Sequence, residues 1–262
     1  MLFYFDESNC QIENGSVHAG GETRYLTCQV GKKSSQIASL PENFKIIPDN
    51  ETASRAKDLI QSGSDLLSVF RRKIKKVKDQ GSTNYCHAFA AASAIEMQRA
   101  LQGEAHVEMS PSFIGNLVTN FQNAGAFIEE DLEVAIKHGC CTTEFVPEIN
   151  LSRRWYNENK EATLANAALH KIDGWVNLGY AGQGTDLAAR VRTCLLQRIP
   201  VVVHLGWLPH AVLYLRVEPN GDWNWLNSWN ESWGDKGCAI TEKRKGAPYA
   251  AWVPYSCIAS LL

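Results

Sequence analysis

The chain contains no apolar run of the roughly 18 residues that a membrane-spanning helix requires. Its first residues, Met1 to Glu7, lack the basic start and the long apolar core of a secretion signal. Its net charge of −2 gives it no general attraction for nucleic acid or anionic membranes. We therefore expect an intracellular, cytoplasmic protein that has neither nucleic acid nor a membrane as its partner.

The chain also has no Cys-x-x-Cys pair, and the adjacent Cys140 and Cys141 are poorly placed to bind one zinc ion. We expect neither a metal nor a cofactor. Without a secretion signal, an even cysteine count is weak evidence for disulfides, so most of these thiols are expected to be free and buried. A Cys10–Cys28 bridge remains an alternative if the protein meets an oxidising environment. The eight cysteines are Cys10, Cys28, Cys86, Cys140, Cys141, Cys194, Cys238 and Cys257.

What the chain does have is a cysteine at the predicted start of a helix. Asn84 is a plausible N-cap residue, which places Cys86 in the first turn. Unpaired N–H groups and the helix dipole at that end lower the pKa of a thiol and favour the nucleophilic thiolate. Gly103 is the expected end of the helix. Apolar residues recur at helical spacing behind the cysteine, at Ala88, Ala91, Ala92 and Ile95.

A nucleophilic thiolate needs a base, a group that orients the base, and donors for an oxyanion. Gln80, with its side-chain N–H groups, precedes the cysteine by six residues. His210 follows Cys86 by 210 − 86 = 124 residues, and Asn227 follows it by 227 − 86 = 141 residues. The histidine lies in the segment Pro-His-Ala-Val, and the asparagine in Leu-Asn-Ser-Trp, which is followed by Ser-Trp-Gly.

This ordered set resembles the papain-like cysteine proteases of the cathepsin and papain type. The resemblance implies an α+β, two-lobed fold, with a helical lobe that carries the nucleophile helix and an antiparallel, β-barrel-like lobe. It also implies the roles of nucleophile, general acid/base, orienting residue and oxyanion donor for Cys86, His210, Asn227 and Gln80. Trp229 would shield the Asn227–His210 hydrogen bond from water. The histidine spacing is slightly shorter than the roughly 130–150 residues of papain-type enzymes.

Three positions depart from the family pattern. His87 stands where the family usually has tryptophan; it either tunes the thiolate or fills the helix face, and we favour filling. Thr83 replaces a family cysteine, so that family disulfide cannot form. The paired glycines that line the family's cleft have their nearest match at Asn123-Ala124-Gly125. Gly125 and Trp229 are the expected substrate-binding residues.

The chain divides at about residue 76. Residues 1–76 are predicted to be a β-rich or irregular extension with a helix near Thr52–Ile60, and residues 77–262 to be the papain-like domain. The spaced pro-segment signature of the family cannot be traced in the extension. We therefore expect it to stay attached, packing on the surface of the domain or mediating assembly. The full-length protein would then react with an active-site probe without prior cleavage.

Periodicity and turn residues predict the remaining elements. Helices are expected from Ser110-Pro111 onward, from Glu129 to Lys137 with Gly139 as its terminator, and from Asp186 to Arg198. Strands are expected at Val201–Leu205, at His210–Leu215 and, after the turn Pro219–Asp222, at Trp223–Asn227.

A basic run, Arg-Arg-Lys-Ile-Lys-Lys-Val-Lys over residues 71–78, could be a nucleic-acid patch or a targeting signal. Ile74 and Val77 also suit an exposed strand that leads into the active-site loop. No aromatic residues are interleaved with the charges, so we favour the solvated strand.

The leading functional hypothesis is a thiol protease, a hydrolase that cleaves peptide bonds of protein or peptide substrates through a Cys86 thioester. Deamidation, isopeptide cleavage and transpeptidation pass through the same intermediate. Such an enzyme should require a reducing agent. The alternative is a binding or structural protein that keeps the fold with little or no proteolysis, for example a component of a virus particle that assembles through residues 1–76.

Overall fold

The structure, a computed structural model, describes residues 3–13, 16–19, 22–25, 28–29, 40, 44–184 and 186–255. The helices are α1 (Asp49–Gln61), α2 (Leu66–Lys73), α3 (Cys86–Leu101), α4 (Pro111–Thr119), α5 (Ile128–Lys137), α6 (Arg153–Glu158), α7 (Lys160–Ala167) and α8 (Leu187–Leu196). The strands are β1 (Gln11–Glu13), β2 (Ser16–Ala19), β3 (Glu22–Tyr25), β4 (Gly174–Tyr180), β5 (Val201–Leu205), β6 (Ala211–Val217), β7 (Trp223–Leu226), β8 (Cys238–Thr241) and β9 (Pro248–Tyr255).

Helix α3 is the centre of the helical half. Alanines occupy much of its surface, and small side chains allow neighbouring elements to approach it closely. It packs against α2, α4 and α5 in the helical half, and against β5, β6 and β9 of the sheet. The nucleophile helix is therefore buried along nearly its whole length, as its apolar spacing predicted.

The helix boundaries follow local rules. Ser110 accepts a hydrogen bond from Phe113 N–H and Pro111 is the first residue of α4, so this predicted start is confirmed. Helix α5 ends before Gly139, whose φ of +87° is left-handed. A Cβ at that glycine would lie 1.8 Å from the carbonyl oxygen of Ala167, so no other residue fits there without a shift. The predicted α1 and α8 are also confirmed.

The other half is a six-stranded antiparallel sheet with the strand order β4-β9-β5-β6-β7-β8. Strand β5 is buried throughout, which its continuous apolar run predicted. The start of β6 lies beside the end of β7, because Leu213 pairs with Leu226. His210 just before β6 and Asn227 just after β7 are thereby brought to the same edge of the sheet. The α+β fold is confirmed.

The N-terminal residues are built into this sheet half. Tyr4 forms a parallel bridge with Ile240, and the Phe5 ring packs edge-on against Trp225, Trp229 and Trp233. Strands β1–β3 form a small antiparallel sheet of their own. Residues 1–76 also contain α1 and α2, and a β-rich or irregular extension with a domain boundary at residue 76 stays a prediction.

The basic run differs from its prediction. Arg71 to Lys73 form the last turn of α2, because the apolar face of that helix extends to Phe70 and its dipole favours cations at the C-terminus. Lys78 is only 4% exposed, and its Nζ lies 2.7 Å from Glu96 Oε1. The exposed strand is therefore wrong for Arg71–Lys73 and for Lys78. In the described part of the chain, no helix is long and apolar enough to cross a membrane.

Candidate active site

The two halves meet where residues 78–80 pair with residues 228–230. Gln80 N–H donates to Ser228 O at 2.8 Å, and Asn230 N–H donates to Lys78 O at 3.0 Å. The Ser228 hydroxyl also donates to Gln80 Oε1 at 2.6 Å. This short antiparallel pairing, with a bridge between Asp79 and Trp229, fixes the register of the glutamine against the asparagine loop. Residues that are far apart in sequence are thus held within one site.

Cys86 is the first residue of α3, as predicted, but the predicted cap is wrong. Tyr85 occupies the N-cap position and makes no side-chain cap hydrogen bond. Asn84 instead faces the neighbouring loop, where its N–H donates to Asn123 Oδ1 at 2.7 Å and its Nδ2 donates to Asn123 O at 3.0 Å. This tertiary partner draws the amide away from the helix end. The N–H groups of the first turn of α3 remain without intrahelical acceptors.

The structure brings His210 and Asn227, the predicted base and its orienting residue, into contact. His210 Nε2 lies 2.8 Å from Asn227 Oδ1, and both residues are buried. The Trp229 ring covers this pair, with its centroid 5.1 Å from that of the imidazole. Because Asn227 holds Nε2, the other nitrogen, Nδ1, is left for proton transfer. Trp229 is 1% exposed, so its shielding role fits the structure, while its contact with substrate stays a prediction.

The environment of Cys86 favours the thiolate. A hydrogen bond from the Cys28 thiol lowers the pKa of Cys86, and the imidazoles of His210 and His87 lower it further. Burial opposes this effect but does not overcome it. The net result is a pKa well below the ordinary value of a thiol. The nucleophile is therefore held in its reactive form.

His87 forms a buried ion pair that the sequence reasoning missed. Its Nδ1 lies 2.8 Å from Asp131 Oδ2, and both side chains are fully buried. Burial alone would lower the pKa of His87, but the attraction and hydrogen bond of Asp131 raise it. His87 therefore does more than fill the helix face, which was the interpretation that we favoured from the sequence. The sequence does contain one indication of this ion pair: Asp131 places a carboxylate on the apolar face of α5, between Ile128 and Leu132.

Replacing Asp131 with asparagine should move the reactivity of Cys86 to higher pH. The raised pKa of His87 extends to higher pH the range in which the imidazole is cationic, and that charge is lost as the pH rises through the folded value. Without the carboxylate the pKa of His87 falls, so Cys86 loses a stabilising cation. The measurement is the rate of iodoacetamide alkylation at Cys86 against pH.

The matched control for that prediction is Glu133→Gln, which makes the same charge change on α5 at a residue bonded to Trp175 Nε1. It should leave the alkylation profile unchanged. An unshifted profile in Asp131→Asn would show that the ion pair serves packing alone.

Gln80 is fully buried, and two hydrogen bonds fix its side-chain amide. Its Nε2 donates to Thr83 O at 3.0 Å, while its Oε1 accepts from Ser228. The amide has two N–H groups, so the second is left to meet an oxyanion beside the backbone N–H of Cys86.

Gln80→Ala is therefore expected to lower kcat by about 10²–10³-fold, the usual effect of removing one oxyanion donor. Steady-state kinetics on a peptide substrate would measure this, with thermal unfolding of the same sample to exclude loss of fold. A change confined to KM would contradict the role.

The cleft above Cys86 is occupied by residues 28 and 29 of the N-terminal segment. Cys28 N–H donates to Pro209 O at 3.3 Å, and Gln29 N–H donates to Ala126 O at 3.3 Å. Gln29 Nε2 donates to Gly125 O at 3.1 Å. Cys86 is 0% exposed as a result. Residues 28 and 29 pack in the cleft, because carbonyls on both sides of it accept their N–H groups, and Gln29 stays exposed. That the extension stays attached on the domain surface or mediates assembly remains a prediction.

Gly125 lies beside Gln29, whose Nε2 donates to its carbonyl oxygen, while its contact with substrate stays a prediction. All seven cysteines that the structure describes are free thiols; Cys257 lies outside the described residues.

Across the described ranges, no cluster of three or more histidine, cysteine, aspartate or glutamate side chains could hold a metal ion.

Comparison with known proteins agrees with this geometry. No family model matches the chain. A cysteine protease of Blomia tropicalis is 22% identical over 206 residues, covering 66% of this chain and 59% of its own length. A viral cathepsin of Adoxophyes honmai nucleopolyhedrovirus is 25% identical over 237 residues, covering 82% of this chain and 66% of its own length. The chain thus spans about three fifths to two thirds of these relatives.

Solved structures show the same fold. Xylellain, a cysteine protease from Xylella fastidiosa, superposes with a TM-score of 0.61 at 18% identity, covering 88% of this chain and all of the other. Digestive procathepsin L 3 of Tenebrio molitor superposes with a TM-score of 0.60 at 17% identity, covering 71% and 68% of the two chains. In sequence and in fold, this chain is a divergent relative of the papain-like cysteine proteases.

Proposed function

We propose that this protein is a cysteine-type endopeptidase, a hydrolase that cleaves peptide bonds through a thioester on Cys86. One observation carries the proposal: His210 Nε2 is held 2.8 Å from Asn227 Oδ1 under Trp229, beside a thiol at a helix N-terminus whose pKa is lowered. A purely structural fold has no need of a thiolate beside an oriented imidazole.

Each group has a step in the reaction. The Cys86 thiolate attacks the substrate carbonyl, and the resulting oxyanion accepts hydrogen bonds from the Cys86 backbone N–H and Gln80 Nε2. Protonated His210 then gives its Nδ1 proton to the leaving amine. Water, deprotonated by the same imidazole, hydrolyses the thioester and restores the thiolate. Asn227 keeps the ring in one orientation throughout.

The proposed substrate is an extended peptide. The carbonyl oxygens of Gly125, Ala126 and Pro209 face the cleft, where they accept N–H groups from Cys28 and Gln29. A substrate backbone presents the same donors, so it can replace residues 28 and 29. The names of the two relatives, a cysteine protease and a viral cathepsin, support this substrate class.

The test is active-site labelling of the reduced full-length protein with a thiol-directed epoxide, followed by mapping of the modified residue. We expect selective modification of Cys86, slowed in His210→Ala, and cleavage of members of a peptide library. Modification spread over several cysteines, without cleavage, would contradict the proposal.

A second candidate function is a binding or structural role in an assembly, and the occupied cleft favours it. Failure of Cys86 to react, before and after limited proteolysis of residues 1–76, would support that role. Reaction only after proteolysis would instead identify an inhibitory pro-segment. Reaction of the intact chain would show that residues 28 and 29 leave the cleft readily.

A further inference from the structure

Cys28 is held directly over the nucleophile. Its backbone N–H is bound to Pro209, the residue before His210, and the next residue is bound through Gln29 N–H and Nε2 to the opposite side of the cleft. The residue is 7% exposed, and its thiol, which lies 3.8 Å from Gln29 O, also interacts with the Cys86 thiol. Two free sulfur atoms, 58 positions apart in sequence, thus meet inside the cleft.

We propose that Cys28 and Cys86 form a thiol–disulfide site, at which a low-molecular-weight disulfide such as oxidised glutathione links the two sulfurs and locks the cleft. The effect of this disulfide on peptide cleavage rests on the proposed function, whereas formation of the disulfide does not. Formation of this bond would retain residues 28 and 29 in the cleft covalently, and reduction would release them.

The two thiols differ in acidity, which makes Cys86 the first attacking sulfur and Cys28 the second. The hydrogen bond to Cys86, together with burial, raises the pKa of Cys28 well above its ordinary value, whereas the same interaction and the imidazole of His210 lower the pKa of Cys86 well below its ordinary value. The Cys86 thiolate attacks one sulfur of the glutathione disulfide and expels the first glutathione. Cys28 then loses its proton and attacks Cys86 Sγ, which expels the second. The two protein sulfurs give up two electrons and Cys28 gives up one proton. The two glutathione thiolates that leave take up that proton and one more from the solvent.

The surroundings favour this pair over the other cysteines. The charges nearest to Cys10 belong to Lys245, Glu7 and Asp6, whereas the groups that act on Cys28 are Cys86, Asp131 and Glu129. The alternative Cys10–Cys28 bridge is therefore disfavoured. Burial disfavours the thiolate of four other cysteines by raising their pKa values; these are Cys140, Cys141, Cys194 and Cys238.

The experiment treats the full-length protein with oxidised glutathione, quenches exchange with acid, and maps the products by mass spectrometry. In the wild-type protein we expect a peptide pair joined through Cys28 and Cys86, no glutathione on Cys86, and a loss of two from the eight titratable thiols. Dithiothreitol should reverse all three results. In Cys28→Ser the second exchange cannot occur, so glutathione should remain on Cys86.

The matched control is Cys10→Ser, which should behave as the wild type does. Persistent glutathione on wild-type Cys86, a Cys10–Cys28 link, or eight unchanged thiols would each overturn the proposal. The endopeptidase and the thiol–disulfide site can be refuted independently of each other. A Cys28–Cys86 link in a protein that never cleaves peptides would refute the endopeptidase alone, whereas cleavage without the link would refute the thiol–disulfide site alone.

Discussion

Replacing Cys86 with alanine is expected to abolish peptide cleavage, lowering kcat by roughly 10⁶-fold, as removal of the nucleophile does in other acyl-transfer triads. Alanine has no group that can form the thioester, so the remaining oxyanion donors act on water attack alone. The measurement is turnover of a peptide substrate by the reduced protein. The matched control is Cys194→Ala, because burial raises the pKa of that thiol to about 12 and it lies on α8, outside the site.

Two partner variants sharpen this prediction. His210→Ala should be about as damaging as Cys86→Ala, because members of a catalytic triad act as a unit. Asn227→Ala should be milder, since asparagine orients the ring through one 2.8 Å hydrogen bond and transfers no proton. Unimpaired cleavage by Cys86→Ala would refute the thioester mechanism, whatever the other two variants do.

The second large effect is expected from Lys78→Met, which should lower the free energy of unfolding by about 3–5 kcal/mol. Lys78 Nζ lies 2.7 Å from Glu96 Oε1 and 2.9 Å from Met109 O, and both charged side chains are almost completely buried. Methionine fills the space of the lysine stem but leaves the Glu96 carboxylate buried without its cation. Denaturant unfolding measures the loss.

Lys76→Met is the control, because it removes an equivalent charge two residues away. Lys76 Nζ lies 2.9 Å from Glu148 Oε2 but its side chain is 47% exposed, so that loss should stay below about 1 kcal/mol. The double variant Lys78→Met/Glu96→Leu should recover much of the stability, since no buried charge is then unpaired. Equal effects of the two lysine variants would show that burial of the Lys78 pair is unimportant.

The Lys78–Glu96 pair also makes the free energy of unfolding depend on pH. Burial would raise the pKa of Glu96, but Lys78 and the hydrogen bonds around it lower it below the ordinary value. The stability that this carboxylate contributes is therefore present above its unfolded pKa and is lost as the pH falls through the folded value. In Lys78→Met the part of the lowering that Lys78 supplies is lost, while the contributions of His106 and the Met109 N–H remain, so the acid sensitivity that comes from Glu96 should diminish.

Several features of the site were predictable because each depends on neighbours in the chain. Cys86 begins a helix because small and apolar residues with high helix propensity follow it, and Gly103 comes just after its end. Strand β5 follows from an unbroken apolar run, and Ser110 with Pro111 marks the start of α4. The cap at Asn84 failed for the opposite reason, since its amide binds Asn123 of a distant loop.

Local order along the chain was enough to predict the helix that begins at Cys86 and the α+β class, and to propose a glutamine, a histidine and an asparagine as partners of that cysteine. These depend on residue type, spacing and periodicity. Only the tertiary structure decided that Lys78 is buried against Glu96, that Asp131 charges His87, and that Cys28 lies over Cys86. A buried charge or thiol takes its pKa and reactivity from whatever distant residue folds against it, and no periodicity in the chain records that partner.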